Sequence, residues 1–123
     1  MEDVKKGGIM PYIKAGLSLK LDDAQKNDLQ NKLTDIVGAG LSKPKTYIMT
    51  EIEDGRDLYM AGNKLEKGAY ICVKFLGTTT KPVCGGITQN ICQLLEREYG
   101  IDGSNIYVSY HPVDLWGWNG MMF

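Results

Sequence analysis

The chain has 123 residues, of which 43% are hydrophobic and 24% charged, with a formal net charge of -1. This length predicts one domain that buries a core without a disulfide or a metal, and the near-neutral charge gives no reason to expect nucleic acid or an anionic membrane as a partner. The three cysteines, Cys72, Cys84 and Cys92, form no CxxC pair, and the single His111 completes no zinc site of recognisable spacing. We therefore expect reduced thiols and no metal.

The N-terminal segment differs in character from the rest of the chain. It lacks the apolar core of a secretory signal, and no apolar run in the chain approaches the ~20 residues of a membrane span. These features predict a leaderless, soluble protein of the cytoplasm. The opening "MEDVKKGG" is polar, charged and ends in two glycines, which predicts a flexible arm. We divide the chain into an extension, residues 1–10, and a domain, residues 11–123.

The first part of the domain has the pattern strand, helix, strand. In "PYIKAGLSL", Tyr12 and Lys14 alternate with apolar residues such as Ile13, which is the period of a half-buried strand. From Asp22, a predicted N-cap, apolar residues recur at helical spacing as far as the stop signals around Gly40. "TYIMTEIED" then predicts a second strand, because it is rich in β-forming residues.

The same order of elements recurs about 60 residues later. "AYICVKFLG" predicts a strand, Pro82 to Tyr99 a helix that ends at Gly100, and "NIYVSYHP" a further strand. Between the two units, "DGRDLYMAGN" contains turn residues and room for a short edge strand. Two similar βαβ units indicate an internal duplication. The prediction is an α+β, two-layer fold with a four-stranded mixed sheet and two helices on one face.

The opposite face of such a sheet has no helix to cover it. We expect this face to carry apolar side chains of its own, so that it requires a second cover. A symmetric homo-oligomer is the usual source of that cover. The pattern therefore predicts an obligate oligomer.

Five short motifs resemble the macrophage migration inhibitory factor (MIF) branch of the tautomerase superfamily. They are "MPYI" at the first strand, "KPKTYIM" at residues 43–49, "GGI" at 85–87, "IYVSY" at 106–110 and the C-terminal "WGWNGMMF". The resemblance covers residues 11–123 and implies a homotrimer whose sheets wrap a central channel, with a pocket at each subunit boundary. It also implies cofactor-independent keto-enol tautomerisation of compounds such as phenylpyruvate and dopachrome analogues, with an amino-terminal proline as the base.

The resemblance assigns roles to individual residues. Pro11 matches the catalytic proline, and Lys43 matches the lysine that helps bind an anionic substrate group. The residues that match the substrate pocket are Tyr12, Leu76, Tyr107, Ser109, Trp116, Trp118 and Phe123, with Tyr107 donated by the neighbouring subunit. Ser109 replaces an asparagine of the animal cytokine, and "MMF" replaces the more frequent "STF". The cytokine's CxxC is missing, because Gly68 and Ile71 align with it.

The implied chemistry needs a base that is uncharged near pH 7. An α-amino group has an ordinary pKa of about 7.7–8.0, and both burial and a neighbouring cation such as Lys43 lower it. The extension removes this base: while Met10 is bonded to Pro11, the Pro11 nitrogen is a tertiary amide with no basic lone pair. If translation begins at Met10, the small Pro11 side chain favours removal of the methionine, and the amine appears.

Three functional hypotheses follow. The first is a tautomerase that acts on small keto or enol substrates such as phenylpyruvate. The second is a catalytically silent, cytokine-like ligand for a receptor protein, secreted by a leaderless route. The third is a pseudo-enzyme whose N-terminal arm lies across the pocket mouth. An intact "MEDVKKGGIM" excludes the first hypothesis and leaves the other two. In each case we expect neither nucleic acid nor a membrane as a partner.

Overall fold

The computed structural model describes residues 10–123 and contains one main sheet, two helices and two short ribbons. The strands of the main sheet are β1 (Tyr12–Leu17), β2 (Met49–Glu53), β5 (Ala69–Leu76) and β6 (Ile106–Val113). The ribbons pair β3 (Tyr59–Met60) with β4 (Asn63–Lys64) and β7 (Gly117–Trp118) with β8 (Met121–Met122). The helices are α1 (Asp23–Gly40) and α2 (Lys81–Tyr99), and 3-10 turns at Lys45–Tyr47 and Gly103–Asn105 lead into β2 and β6. The predicted flexible arm lies outside the described residues.

The predicted ends of both helices are confirmed, and local hydrogen bonds explain them. Asp22 caps α1, because its carboxylate accepts the Gln25 N–H at 2.8 Å while the Gln25 side chain accepts the Asp22 N–H at 2.9 Å. This reciprocal pair is a capping box. Pro82 lies in the first turn of α2, and Gly100 ends that helix with a left-handed φ of 66°.

The two βαβ units meet at the centre of the main sheet, whose strand order is β2-β1-β5-β6. Within each unit the two strands are parallel, whereas β1 and β5 are antiparallel. Tyr12 faces Lys74 and Leu17 faces Ala69 across this central pair. The predicted mixed sheet is thus confirmed. The predicted edge strand after β2 is different: residues 59–64 form the separate β3-β4 ribbon.

One face of the sheet and both helices enclose a single core, as predicted. Alternate residues of β1 and β5 point into it, among them Ile13 and Phe75, which are both fully buried. The helices contribute one apolar stripe each, namely Leu29, Leu33 and Val37 from α1 and Ile87, Ile91, Leu94 and Leu95 from α2. Burial of each such side chain contributes roughly 1.5–3 kcal/mol to folding. Neither helix of residues 10–123 has the length and apolarity needed to cross a membrane.

The other face of the sheet, here called the open face, differs from the prediction. Its side chains are mostly polar or charged and include Lys14, Glu51, Glu53, Lys74, Ser109 and His111 beside Tyr12, Tyr70, Tyr107 and Met49. The expectation of an apolar open face was therefore wrong. Charged groups persist there because they pair with one another, as Lys14 Nζ does with Glu53 at 3.3 Å. The open face therefore gives no hydrophobic reason for the protein to oligomerise.

Candidate functional site

One end of each of the four strands lies at the same end of the sheet, here called the Pro11 end. β1 and β2 begin there, because Tyr12 pairs with Met49, and β5 ends there, because Tyr12 also pairs with Lys74. β6 ends beside β5 and continues into the β7-β8 ribbon. The topology therefore brings seven of the nine predicted site residues to the same end: Pro11, Tyr12, Lys43, Leu76, Trp116, Trp118 and Phe123.

Pro11 is buried directly ahead of β1. Its carbonyl oxygen accepts the Met49 N–H at 3.1 Å, which fixes its backbone to the first residue of β2. Met10 is also buried, with 3% of its surface exposed. The nitrogen of Pro11 carries no proton and no basic lone pair while Met10 acylates it, so Pro11 in this chain is positioned but chemically silent.

Aromatic side chains gather at this end through the β7-β8 ribbon. The Trp118 ring stacks on Phe123, with 6.1 Å between ring centroids and 25° between ring planes. It also meets Tyr47 edge-on, at 5.6 Å and 87°. The Phe123 N–H donates to the Trp116 carbonyl at 3.0 Å, which ties the last residue of the chain to the start of the ribbon. The result is an apolar wall of three rings.

Lys43 lies in the loop between α1 and β2, half-buried, with its N–H donating to the Gly38 carbonyl at 2.8 Å. It borders a broad depression of about 620 Å³, which α1 and the following loop form from Asp35, Gly38, Ala39, Ser42, Lys43, Pro44 and Lys45. The neighbouring Lys45 pairs with Asp35 at 2.8 Å. No residue of the aromatic wall lines this depression. Within the described chain, Lys43 and the aromatic wall therefore belong to two separate surfaces at the Pro11 end.

Tyr12 and Leu76 fit the predicted pocket unequally. Leu76 is buried, with 8% exposed, as the last residue of β5. Tyr12 lies on the open face, where its hydroxyl donates to the Glu51 carboxylate. That hydrogen bond, together with burial, raises the pKa of Tyr12 to about 12, so the hydroxyl stays protonated at neutral pH. The structure thus places Tyr12 in a polar contact where the resemblance implied an apolar wall.

Tyr107 and Ser109 are not brought to the Pro11 end. Tyr107 pairs with Tyr70 on β5, whereas Pro11 comes one residue before Tyr12, which pairs with Lys74 on β5. The positions of Tyr107 and Pro11 along the strand direction, here called their levels, therefore differ by about five residues, or roughly 17 Å. Tyr107 is 63% exposed, and its hydroxyl contacts Met60 Sδ at 3.7 Å. One chain therefore cannot place Tyr107 beside its own Pro11.

Ser109 lies between these two levels, on the open face. Its Oγ is 2.7 Å from the Tyr70 hydroxyl and 2.7 Å from His111 Nε2. This hydrogen-bonded chain joins neighbouring strands and occupies the hydroxyl of Ser109 within its own subunit. In contrast, Tyr110 packs toward α2, where its hydroxyl bonds Thr88 and the Cys84 carbonyl. That contact is the structural role expected for a core aromatic residue.

Tyr47 is the site residue that the sequence analysis missed. The segment before β2 was assigned only to a strand, but residues 45–47 form a 3-10 turn, which turns the Tyr47 ring against Trp118. The available signal was an aromatic residue between Lys43 and the strand, in "KPKTYIM". Such a residue is placed by the turn and not by the alternation of the strand.

Within residues 10–123, no group of three His, Cys, Asp or Glu side chains is arranged to hold a metal ion. The three cysteines are unpaired thiols in the described structure, each half-buried. Burial of Cys92 raises the pKa of its thiol.

The family profile of macrophage migration inhibitory factor matches residues 10–123. The chain belongs to the MIF family. The match starts one residue before Pro11 and runs to the last residue, so it includes every candidate site residue named above. This finding confirms the resemblance on which the site assignments were made.

Solved MIF structures show the same fold. The Leishmania major protein MIF2 is 28% identical, with a TM-score of 0.86, and the match covers 94% of this chain and 99% of that one. The Prochlorococcus marinus MIF homologue is 30% identical, with a TM-score of 0.82 and coverage of 91% and 98%. The Entamoeba histolytica MIF-like protein is 26% identical, with a TM-score of 0.83 and coverage of 93% and 99%. The sequence matches no curated protein significantly.

Proposed function

We propose that this MIF-family protein is a cofactor-independent keto-enol tautomerase for phenylpyruvate-like or dopachrome-like substrates, with Pro11 as the base once it is the first residue. The observation that carries the proposal is that buried Pro11 lies at the same end of the sheet as the stacked Trp118 and Phe123 rings. An aromatic 2-keto acid needs an apolar wall for its ring and a base near its acidic carbon. In this chain the candidates for both lie at the Pro11 end.

The chemical step is a proton transfer. A free Pro11 amine removes a proton from the carbon next to the substrate carbonyl and becomes an ammonium. The C–H electron pair forms the enol C=C bond, and the C=O π pair moves to the oxygen. The oxygen takes up a proton from solvent, and the Pro11 ammonium returns its proton to solvent. The amine has to be neutral near pH 7 to act. An α-amino pKa of about 7.7–8.0 falls when the group is buried and when a cation is near, and Lys43 is the cation that the family resemblance assigns to that role. Lys43 would also bind the substrate carboxylate.

The proposal makes activity depend on the Met10-Pro11 bond. We would compare the 123-residue chain with a chain that begins at Pro11, and follow phenylpyruvate tautomerisation by the absorbance of the enol. Because general base catalysis contributes about 10²–10⁴ in rate, the longer chain should be at least ~100-fold slower. Pro11→Gly in the short chain should abolish turnover and leave the assembly intact. Equal rates for the two chains, or an active Pro11→Gly variant, would refute the role of Pro11.

We further propose a homotrimer in which each pocket takes Tyr107 from a neighbouring copy. The separation of Tyr107 from Pro11 within one chain supports this arrangement. Two exposed apolar groups also support it: Tyr59 and Tyr107 lie around the β3-β4 ribbon, and Leu115, Met121 and Met122 lie around the β7-β8 ribbon. Two different patches on one subunit suit a head-to-tail ring, whereas a twofold dimer would use one patch twice.

A second function is favoured for any form that retains the extension. In that form Pro11 is an amide and Met10 is buried beside it, with 3% of its surface exposed, so the form would be catalytically silent. Its role would then be that of a ligand for a receptor protein. The protein would act either in the cytoplasm or after secretion without a leader. Surface plasmon resonance of the 123-residue chain on a MIF receptor ectodomain tests this. Saturable binding that Pro11→Gly leaves unchanged would support it, and no binding at micromolar concentration would count against it.

A further inference from the structure

Met10 is buried, but it does not belong to the core. Only 3% of its surface is exposed. Of the buried apolar side chains in residues 10–123, two lie outside the cluster that the sheet and the helices enclose, namely Met10 and Leu76. Met10 is therefore buried at a separate place in the fold.

That place is the Pro11 end, at the level of Leu76. Across the central pair of strands, Tyr12 faces Lys74. Because the two strands are antiparallel, each step from Tyr12 toward Met10 matches one step from Lys74 toward Leu76. Two such steps put Met10 opposite Leu76. Since Leu76 is one of the nine residues assigned to the tautomerase pocket, Met10 lies at the level of that pocket.

A substrate would need the space around the Pro11 nitrogen, and Met10 fills it. In a reactive arrangement the carbon that loses its proton lies about 3–3.5 Å from the base. The carbonyl carbon of Met10 is bonded to that nitrogen at about 1.3 Å, and the rest of Met10 continues from there. The buried methionine therefore occupies the surroundings in which a substrate carbon would lie.

The Met10 side chain also suits an apolar pocket. Methionine is unbranched, adapts to irregular gaps and makes favourable contacts with aromatic rings. The stacked rings of Trp118 and Phe123 lie at the same end of the sheet. We propose that the Met10 side chain occupies the apolar part of the substrate pocket, and the location of that pocket rests on the proposed function. A chain that retains Met10 thus excludes the ligand, in addition to lacking the base.

The test measures binding without turnover, by isothermal titration calorimetry on the intact chains in their native assembly. The probe is 3-phenylpropanoate, which has the ring and the carboxylate of phenylpyruvate but no carbonyl group to enolise. The chain that begins at Pro11 should bind it. The 123-residue chain should bind at least tenfold more weakly, because the probe has to displace Met10 into water. Burial of a methionine side chain corresponds to roughly 10–150-fold in an equilibrium constant.

Met10→Gly in the 123-residue chain separates the side chain from the amide bond. It empties the space but keeps Pro11 acylated, so the variant should bind the probe at least tenfold more tightly than the 123-residue wild type and stay inactive toward phenylpyruvate. Met10→Leu is the matched control, because leucine fills a similar volume, and it should bind as weakly as the wild type. Backbone amide NMR signals of Leu76 and Phe123 should shift only in the chains that bind.

Thermal unfolding by circular dichroism establishes that each variant is folded. If Met10→Gly does not fold, Met10→Ala replaces it with the same expected gain, since alanine also empties most of the space without the backbone freedom of glycine. Equal affinities of the 123-residue wild type and its truncated variants would overturn the proposal. So would equal affinities of the 123-residue chain and the chain that begins at Pro11, and this result would leave Pro11 as the base untouched.

No binding by any chain would also overturn the proposal, because there would be no pocket for Met10 to fill. The proposed function can fail independently. If the chain that begins at Pro11 and the Met10→Gly variant both bind the probe, but the former does not tautomerise phenylpyruvate, the role of Pro11 is refuted and the blocking role of Met10 is supported.

Discussion

Trp118 meets Tyr47 edge-on, with 5.6 Å between their ring centroids, and this contact joins the C-terminal ribbon to the turn that leads into β2. The two residues are 71 positions apart in the chain. Tyr47 is followed two residues later by Met49, whose N–H donates to the Pro11 carbonyl. The aromatic contact therefore sets the position of the ribbon relative to Pro11, the proposed base.

We predict that Trp118→Ala loosens the ribbon. It removes both ring contacts, and each aromatic pair contributes about 0.5–1.5 kcal/mol, so the free energy of unfolding should fall by roughly 1–3 kcal/mol. Urea unfolding at a fixed protein concentration measures this. Trp116→Ala is the control, because Trp116 holds Phe123 through its backbone carbonyl, which the substitution keeps. If both variants lost the same free energy of unfolding, the ring contacts of Trp118 would make no specific contribution to stability.

We predict opposite effects of alanine at two helical glycines. A Cβ on Gly40 would come within 2.3 Å of Ile87 Cγ1, and Ile87 is 1% exposed and cannot move aside, so Gly40→Ala should destabilise the protein by about 1–3 kcal/mol. Gly85 is exposed in α2 with nothing near its Cβ position. Gly85→Ala should therefore stabilise the protein by about 1 kcal/mol. Thermal unfolding of the two variants measures this. If both substitutions raised, or both lowered, the melting temperature, the packing described here would be contradicted.

The fold was predictable from the sequence because its signals are local. Asp22, Pro82 and Gly100 mark helix ends through the conformations of a few neighbouring residues, and the alternation around Ile13 marks β1. Two repeats of the same order then fixed the mixed sheet. The ribbon at residues 59–64 lacks such an alternation, since each of its strands has only two residues. Its separation from the main sheet could not be read from the pattern.

The site was less predictable, because it depends on which side chains find partners. Alternation placed Tyr12 on the open face, but only the structure gives its hydroxyl bond to Glu51. Alternation likewise placed Lys14 on the open face, so a polar residue there was visible in the sequence. Its ion pair with Glu53, which keeps that charge favourable, joins residues that are distant in sequence and was not. The distance between Tyr107 and Pro11 likewise follows from strand register, which no local signal reports.

We predict that Asp54 stabilises the protein at neutral pH and loses this effect in acid. Its carboxylate accepts the Leu21 N–H at 2.8 Å and pairs with Lys26 at 3.3 Å, and these contacts lower its pKa from the ordinary 3.8. A carboxyl group whose pKa is lower in the folded state than in the unfolded state contributes its full stabilisation of the fold at pH values above the unfolded-state pKa. The contribution disappears as the pH falls from there through the folded pKa.

The measurement is the urea midpoint of wild type and Asp54→Asn between pH 2 and pH 7. The difference should be largest at about pH 5–7 and should shrink below about pH 4. Asp57→Asn is the control, because Asp57 is exposed and pairs only at 3.4 Å with the exposed Lys64. A difference between wild type and Asp54→Asn that does not change with pH would contradict the role of the ionised carboxylate.

We predict that two inactive variants restore each other. Both begin at residue 11: one carries Pro11→Gly and keeps Tyr107, and the other carries Tyr107→Ala and keeps Pro11. If each pocket combines Pro11 of one subunit with Tyr107 of the next, random 1:1 trimers contain both intact residues in about a quarter of their pockets. Tautomerase activity should therefore rise to about a quarter of the wild-type rate after the variants are unfolded together and refolded.

The control for this experiment is to mix the two folded proteins without unfolding them, which should give no activity while subunits do not exchange. Each variant unfolded and refolded alone should likewise stay inactive. If Tyr107 acted on Pro11 of its own chain, no mixed trimer would contain a complete pocket, and refolding together would restore nothing. The roughly 17 Å between their levels in one subunit argues for recovery, since a tyrosine side chain cannot span that distance. Recovery would thus establish the shared pocket through catalysis itself.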